Sequence, residues 1–232
     1  MNSKSKISVI MSVKDAQFTV SDSVNSVLMQ TYDNFELLIM DDASSDNTAD
    51  ILSQFKENDN RVKIYTNKVN LGLTASLNIL IKNSSGDFIA RQDSDDVSMS
   101  ERFRKQMDYI YSKSLDGCTT KAISIQDGKI IHDKSRLVPN KLLLKFKNPF
   151  IHGTLLIKKK VLNEINNYNE DFYYAQDYKL FTDLINTGYK IKILNKVLYN
   201  LNTVNNISNL NKEKQQYFAN CVRKNIKPDL TY

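Results

Sequence analysis

The sequence predicts an α/β fold with a mostly parallel central sheet flanked by helices, followed by a second half of α+β character. Two observations carry that prediction. Up to about Asp96, apolar runs of strand length alternate with amphipathic stretches of helix length, and strands joined by helical crossovers pair in parallel and are covered on both faces. Those runs also end in acidic or amide residues, where open α/β sheets place their ligands.

Taken in order, Ile7 to Val13 (ISVIMSV) reads as a buried strand, Val20 to Gln30 as a helix, Phe35 to Met40 (FELLIM) as a second buried strand and Thr48 to Phe55 as a second helix. Arg61 to Tyr65 is a third strand, Leu73 to Lys82 a helix after Gly72, and Asp87 to Arg91 a fourth strand after the turn Ser84-Ser85-Gly86. Beyond Asp96 the pattern changes. A helix is expected from about Met99 to Ser112, a hairpin turning at Asp127-Gly128, a strand from Ile151 to Ile157, and a helix from about Gln176 to Thr187 stopped by Gly188. Asn195 to Lys214 reads as a polar surface or tail, and Lys212 to Lys224 as a last helix. A length of 232 residues suits one domain, divided into a ligand-binding half, 1–97, and a second half, 98–232.

Composition excludes several classes. The net charge of +6 is spread along the chain, and its densest run is Lys158-Lys159-Lys160, which favours a solvated surface over a nucleic-acid groove. A modest attraction to anionic lipid headgroups is a secondary expectation. Cys118 and Cys221 belong to no paired motif, so neither a zinc site nor a disulfide framework is expected. No apolar run reaches membrane-spanning length and the start is polar, so the expected compartment is the cytoplasm. Neither G-x-G-x-x-G nor G-K-[ST] occurs, against a dinucleotide oxidoreductase and a P-loop NTPase.

The chemistry concentrates at strand ends. Asp93, Asp95 and Asp96 lie within four positions, and such carboxylates repel one another unless a cation or hydrogen-bond donors compensate. Mg²⁺ or Mn²⁺ is the economical partner, bound by one or two carboxylates plus substrate phosphates. A turn capping the helix that begins near Ser98 is the structural alternative. Asp15, Asp41, Asp42, Asn67 and Asn70 complete the rim. Asp42 is placed to accept from a base N–H or a ribose hydroxyl, whereas Asp41 suits the following turn equally well. Arg91 or Arg102 is expected to neutralise a diphosphate, with a surface ion pair as the alternative for Arg102. His152 stands beside Gly153, which lets backbone or ligand approach closely. Asp177 opens a helix, where the macrodipole favours a carboxylate, and a carboxylate so positioned can also serve as a base.

The ordered segments ISVIMSVKD (7–15), FELLIMDDASSDNT (35–48), NLGLTASLN (70–78), GDFIARQDSDD (86–96), HGTLLIKK (152–159) and AQDYKLF (175–181) resemble glycosyltransferase family 2 over most of the chain. The resemblance implies the GT-A fold. It places Ser12 and Asp42 around the base, typically uracil, and Asp93 near the ribose or sugar. Asp95 would hold the metal, Asp96 would complete the acidic motif, and Asp177 would be the base that deprotonates the acceptor. Val13, Asp15, Asn70, Gly72, Ser94, Arg102 and His152 are assigned to the donor side. The chain departs from the family's usual residues at Val13-Lys14-Asp15, Leu77 and Gln176.

The expected activity is inverting transfer of a hexosyl or N-acetylhexosaminyl group from a nucleotide-sugar, UDP-linked by expectation, to a hydroxyl of a glycan or lipid-linked acceptor in bacterial surface polysaccharide synthesis. Mn²⁺ or Mg²⁺ is the expected cofactor, and peripheral contact with the inner face of the membrane is a further expectation. A nucleotidyltransferase and a catalytically silent binding protein of the same fold are the alternatives. Pyrophosphate release would mark the first, and nucleotide binding without turnover the second.

Overall fold

A computed structural model describes residues 5–131, 139–204 and 211–229. The first half follows the predicted alternation: β1 (Ile7–Val13), α1 (Val20–Leu28), β2 (Phe35–Asp41), α2 (Thr48–Asn58), β3 (Val62–Thr66), α3 (Leu73–Asn83) and β4 (Phe88–Arg91). The second half contains β5 (Val97–Ser98), α4 (Arg102–Ser112), β6 (Gly117–Ser124), β7 (Ile130–Ile131), α5 (Asn140–Leu143), β8 (Leu156–Lys158), α6 (Lys159–Glu164), α7 (Gln176–Thr187), β9 (Ile191–Leu201) and α8 (Lys212–Lys224).

All the main strands join one nine-stranded sheet in the order β3-β2-β1-β4-β8-β6-β9-β5, with β7 against β6. β1 pairs in parallel with both β2 and β4. The chain therefore leaves β1 toward β2 and later returns to its other side, so β1 lies at a topological switch point, the place where such sheets bind ligands. Alternate residues of β1 serve opposite faces. Ile10 packs with α3, α7 and α8 through Leu77, Leu80, Phe181, Leu184 and Phe218. Val9 and Met11 pack with α1 and α4 through Val20, Val24, Val27, Phe103 and Met107.

The second half departs from expectation in three places, each through tertiary pairing. Val97 and Ser98 pair with β9 and the Met99 N–H bonds to the Leu198 carbonyl at 3.0 Å, so α4 begins at Arg102 rather than Met99. The stretch expected as a strand from Ile151 opens instead as a 3₁₀ turn, His152–Thr154, because the Thr154 N–H and hydroxyl both return to the Ile151 carbonyl. Asn195 to Leu201, expected as polar surface, is the second half of β9; Leu198 and Tyr199 are buried there, and β9 pairs in parallel with β6. Of the rest of that expected tail, 205–210 lies outside the described residues, and its last residues, Lys212 to Lys214, open α8. The hairpin turns as expected, with Gly128 at φ +66°. Cys118 and Cys221 are free and buried.

At the amino edge of the sheet, opposite the predicted rim, Glu36 is buried among donors. It accepts from Ser8 Oγ at 2.6 Å, Ser85 N at 2.7 Å and Lys63 Nζ at 2.8 Å. Burial alone would push its carboxyl up, but hydrogen bonds from Lys63, Ser8 and Ser85 overcome this and hold it well below the ordinary value of 4.5. A carboxyl depressed in the fold contributes stability above its unfolded value and loses that contribution as pH falls toward the folded one. Glu36→Gln is therefore expected to cost about 2 kcal/mol at pH 7. The gap from wild type should narrow as pH falls below 4.5, as measured by urea denaturation across pH 3–8.

Candidate active site

At the carboxyl end of β2, the acidic residues first organise backbone. Asp41 accepts the Ser44 N–H at 3.0 Å, and Asp15, at φ +49°, accepts the Ser45 N–H at 2.7 Å. Asp42 is buried, and its two oxygens receive Asn67 Nδ2 at 2.7 Å and the Leu71 and Gly72 N–H groups, each at 2.8 Å. Asn70 Oδ1 also accepts the Gly72 N–H, at 2.9 Å. Gly72 sits at φ +84°, a conformation that a residue with a Cβ rarely adopts. Asp42 thus fixes the loop between β3 and α3 against the rim. Ser12 and Val13, at the end of β1, stand beside Met40 and Asp41 in the same register.

Arg91 ends β4 inside the protein, donating to the Gln92 carbonyl and, through Nη2, to Asp93 Oδ1 at 2.5 Å. It is the counter-ion of Asp93. The Asp93 N–H in turn bonds to the Tyr199 hydroxyl at 3.2 Å. Asp93, Ser94 and Asp95 remain partly exposed. Burial first, and then the negative charge of Asp93, push the Asp95 carboxyl up.

Two expected site residues are buried in the structure. Asp96 does not stand beside Asp95 on the exposed side. It is 2% exposed, its Oδ1 accepts the Asn202 N–H at 2.7 Å, and Tyr199 also bonds to its carboxylate. Burial and the nearby Asp93 carboxylate push Asp96 up to about 8, and its bond to the Asn202 N–H ties the acidic turn to the residue that follows β9. Arg102 does not reach the rim. Fully buried at 0% exposure, its guanidinium donates to Gln106 Oε1, Gln92 Oε1, Ser98 Oγ and the Arg91 carbonyl at 3.2, 3.0, 2.6 and 2.5 Å. It lies over the rings of Phe103 and Tyr199. Desolvation lowers it to about 10, so it stays charged at neutral pH as an internal strut.

His152 and Asp177 form the other wall. His152 Nε2 meets the Tyr168 hydroxyl at 2.6 Å. Burial, and then the positive charge of Arg91, lower the imidazole to about 4, while Asp177 and Asp93 pull the other way. His152 is thus a neutral ring standing in the field of both carboxylates. Asp177 lies in the first turn of α7, after Ala175 in the left-handed region at φ +52°. Its Oδ2 accepts Asn148 Nδ2 at 2.8 Å and its Oδ1 accepts the Tyr178 N–H at 2.7 Å. Asn148 Oδ1 takes the Phe150 N–H at 3.0 Å, which leaves the amide nitrogen facing Asp177.

Gly153 joins the two walls. A Cβ there would lie 2.5 Å from Tyr199 Oη and 2.6 Å from Asp93 Oδ2, and both groups are held in place by other bonds. Gly153→Ala is expected to cost about 1–3 kcal/mol and to weaken ligand binding at the rim. Thermal denaturation and nucleotide titration of the variant check both effects.

Sequence reasoning missed Tyr168, Tyr199 and Asn148. The Asn148-Pro149 pair is a turn signal, and Val197 to Leu201 (VLYNL) is an apolar run of strand length. The first marks Asn148 as a turn residue and the second places Tyr199 in a strand; neither points to Tyr168.

A switch-point rim with two partly exposed carboxylates on one wall and a helix-borne carboxylate on the other fits a GT-A-type α/β domain. Residues 8–191 match the model of "Glycosyl transferase family 2", and the chain belongs to that family. It is 37% identical to "O-antigen biosynthesis glycosyltransferase WbnJ" of Escherichia coli, over 78% of this chain and 72% of WbnJ. It is 32% identical to "UDP-Glc:alpha-D-GlcNAc-diphosphoundecaprenol beta-1,3-glucosyltransferase WfgD" of Escherichia coli, over 77% of this chain and 69% of WfgD. Among solved structures, the mannosyltransferase PcManGT of Pyrobaculum calidifontis, in complex with GDP-Man and Mn²⁺, shares the fold at TM-score 0.76 and 14% identity, covering 98% of this chain and 67% of that one. The chain spans about three fifths of the length of the first curated relatives it matches, 62% and 61%. Among the described residues, no helix is long and apolar enough to cross a membrane.

Proposed function

We propose that the chain transfers a hexosyl or N-acetylhexosaminyl group from a UDP-sugar to a hydroxyl of a glycan or lipid-linked acceptor, with inversion, in the assembly of bacterial surface polysaccharide. The observation that carries this reading is Asp177, whose two oxygens are oriented by Asn148 and the Tyr178 N–H. The name of WbnJ supports the pathway, and that of WfgD a UDP-linked donor and a lipid-linked acceptor.

The residues fit a divalent cation. No group of three or more His, Cys, Asp or Glu gathers among the described residues, but a Mg²⁺ site commonly takes one or two carboxylates with ligand phosphates completing the shell. Asp95, whose carboxyl is raised by burial and by Asp93, is a carboxylate that a cation would relieve. Bound Mn²⁺ or Mg²⁺ would be held by Asp95 beside Asp93 and would neutralise the diphosphate leaving group.

The acceptor hydroxyl gives its proton to the Asp177 carboxylate as its oxygen bonds to the anomeric carbon. The bond from that carbon to the diphosphate oxygen breaks, and the electron pair leaves with the nucleoside diphosphate. One displacement inverts the centre. His152, neutral and bonded to Tyr168, offers no competing charge, and Arg91 holds Asp93 in place. Incubation with a panel of UDP-sugars and Mn²⁺ is expected to release UDP, and Asp95→Ala to weaken donor binding. Absence of both UDP release and UDP binding would overturn the proposal.

A further inference from the structure

The segment that orients Asp177 also carries an exposed basic and apolar surface. Between Pro139 and Asn148 there are three lysines, Lys141, Lys145 and Lys147, and no acidic residue. Leu143 and Leu144 turn into the core, whereas Leu142 and Phe146 stand out at 46% and 68% exposure. The end of α8 lies alongside, since Arg223 Nη1 donates to the Phe146 carbonyl at 3.0 Å. From Gln215 to Lys227 that element likewise has no acidic residue, and it adds Arg223, Lys224 and Lys227, with Ile226 exposed at 52%. Lys227 pairs with Asp171 at 3.1 Å, while Lys141, Lys145 and Lys224 are exposed. The same segment is clamped to α7 by the Tyr178 hydroxyl on the Leu144 carbonyl at 2.5 Å, and by Asn148 on Asp177.

Large apolar side chains projecting beside the exposed Lys141, Lys145 and Lys224 complement a lipid surface with anionic headgroups. The apolar tips enter the headgroup boundary while the cations remain at the charged layer. An acidic protein would take the lysines, but it supplies no reason for isolated Leu and Phe tips at their margin.

We infer that the face formed by residues 139–147 and the end of α8 docks the chain on an anionic membrane, with the Asp177 wall of the site turned to that surface. The docking does not depend on the proposed reaction; the delivery of a lipid-linked acceptor to Asp177 does rest on it.

The test is co-sedimentation with vesicles of phosphatidylcholine alone and of phosphatidylcholine with phosphatidylglycerol, at low and high salt. The full chain is expected to bind only the anionic vesicles and to be released by salt. The triple variant Lys141→Ser, Lys145→Ser, Lys224→Ser is expected to weaken partitioning roughly a hundredfold. The separate pair Leu142→Ser, Phe146→Ser is expected to weaken it without changing its salt dependence. All these positions are exposed, so thermal midpoints should be retained, and either variant set suffices if the other fails to fold. No binding to anionic vesicles overturns the inference. So does undiminished binding by the variants, or self-association that the variants abolish in sedimentation velocity. UDP binding by the variants in solution separates the two proposals: retained UDP binding with lost vesicle binding leaves the catalytic reading intact, whereas vesicle binding without any UDP binding supports docking and counts against the transferase.

Discussion

Asp177→Asn is expected to reduce turnover by roughly 10²- to 10⁴-fold, the usual contribution of a positioned general base, and to leave nucleotide-sugar binding unchanged. The substitution is nearly isosteric, and its side-chain oxygen can still accept the Tyr178 N–H that Asp177 accepts at 2.7 Å. What it removes is the capacity to take a proton. Asn148 supplies the companion experiment, because it touches Asp177 Oδ2 at 2.8 Å and is itself held by the Phe150 N–H. Asn148→Ala leaves the carboxylate present but free to rotate, so kcat is expected to fall on the order of 10- to 100-fold, a misplacement effect, with the donor KM unchanged. Steady-state kinetics on both variants distinguishes these outcomes from a general loss of fold, which would move KM and kcat together.

Arg102→Leu is expected to cost about 3–5 kcal/mol, enough to lower the thermal midpoint by roughly 10 °C in a domain of this size. The Arg91 carbonyl and the Gln92 and Ser98 side chains lose their buried donor, and the rings of Phe103 and Tyr199 lose the cation stacked on them. Tyr199 supports both Asp93 and Asp96, so the acidic turn should loosen as well. Differential scanning calorimetry without ligand reads the effect. If the midpoint were unchanged and only nucleotide binding fell, Arg102 would be a diphosphate contact instead of an internal strut.

The contrast between Arg102 and Asp177 shows which features were legible in the chain. β1, β2 and α3 were readable because each is specified by its own residues: unbroken apolar runs for strands buried on both faces, and 3.6-residue spacing for the helix. β9 was not, because Lys192, Asn195 and Lys196 interrupt its pattern and its strand form comes from pairing with β6. The acidic turn was visible as a group, yet the division of labour within it was not. Asp95 and Asp96 are adjacent in sequence, and only the approach of Tyr199 in β9 and of Asn202 just after it turns one inward and leaves the other partly exposed. An arginine one turn after such a cluster reads as an anion contact, until burial places it beneath the sheet's edge. Asn148 was visible only as a turn residue, because its contact with Asp177 joins positions 29 apart.

The most direct test of the central claim is a calorimetric titration of a UDP-sugar into the wild-type chain, Asp95→Ala and Asp177→Asn, with and without Mn²⁺. Mn²⁺-dependent binding is expected of wild type and Asp177→Asn alike, and weak binding of Asp95→Ala under either condition. Binding that ignores both Mn²⁺ and Asp95, or no binding of any nucleotide-sugar by wild type, would contradict that claim.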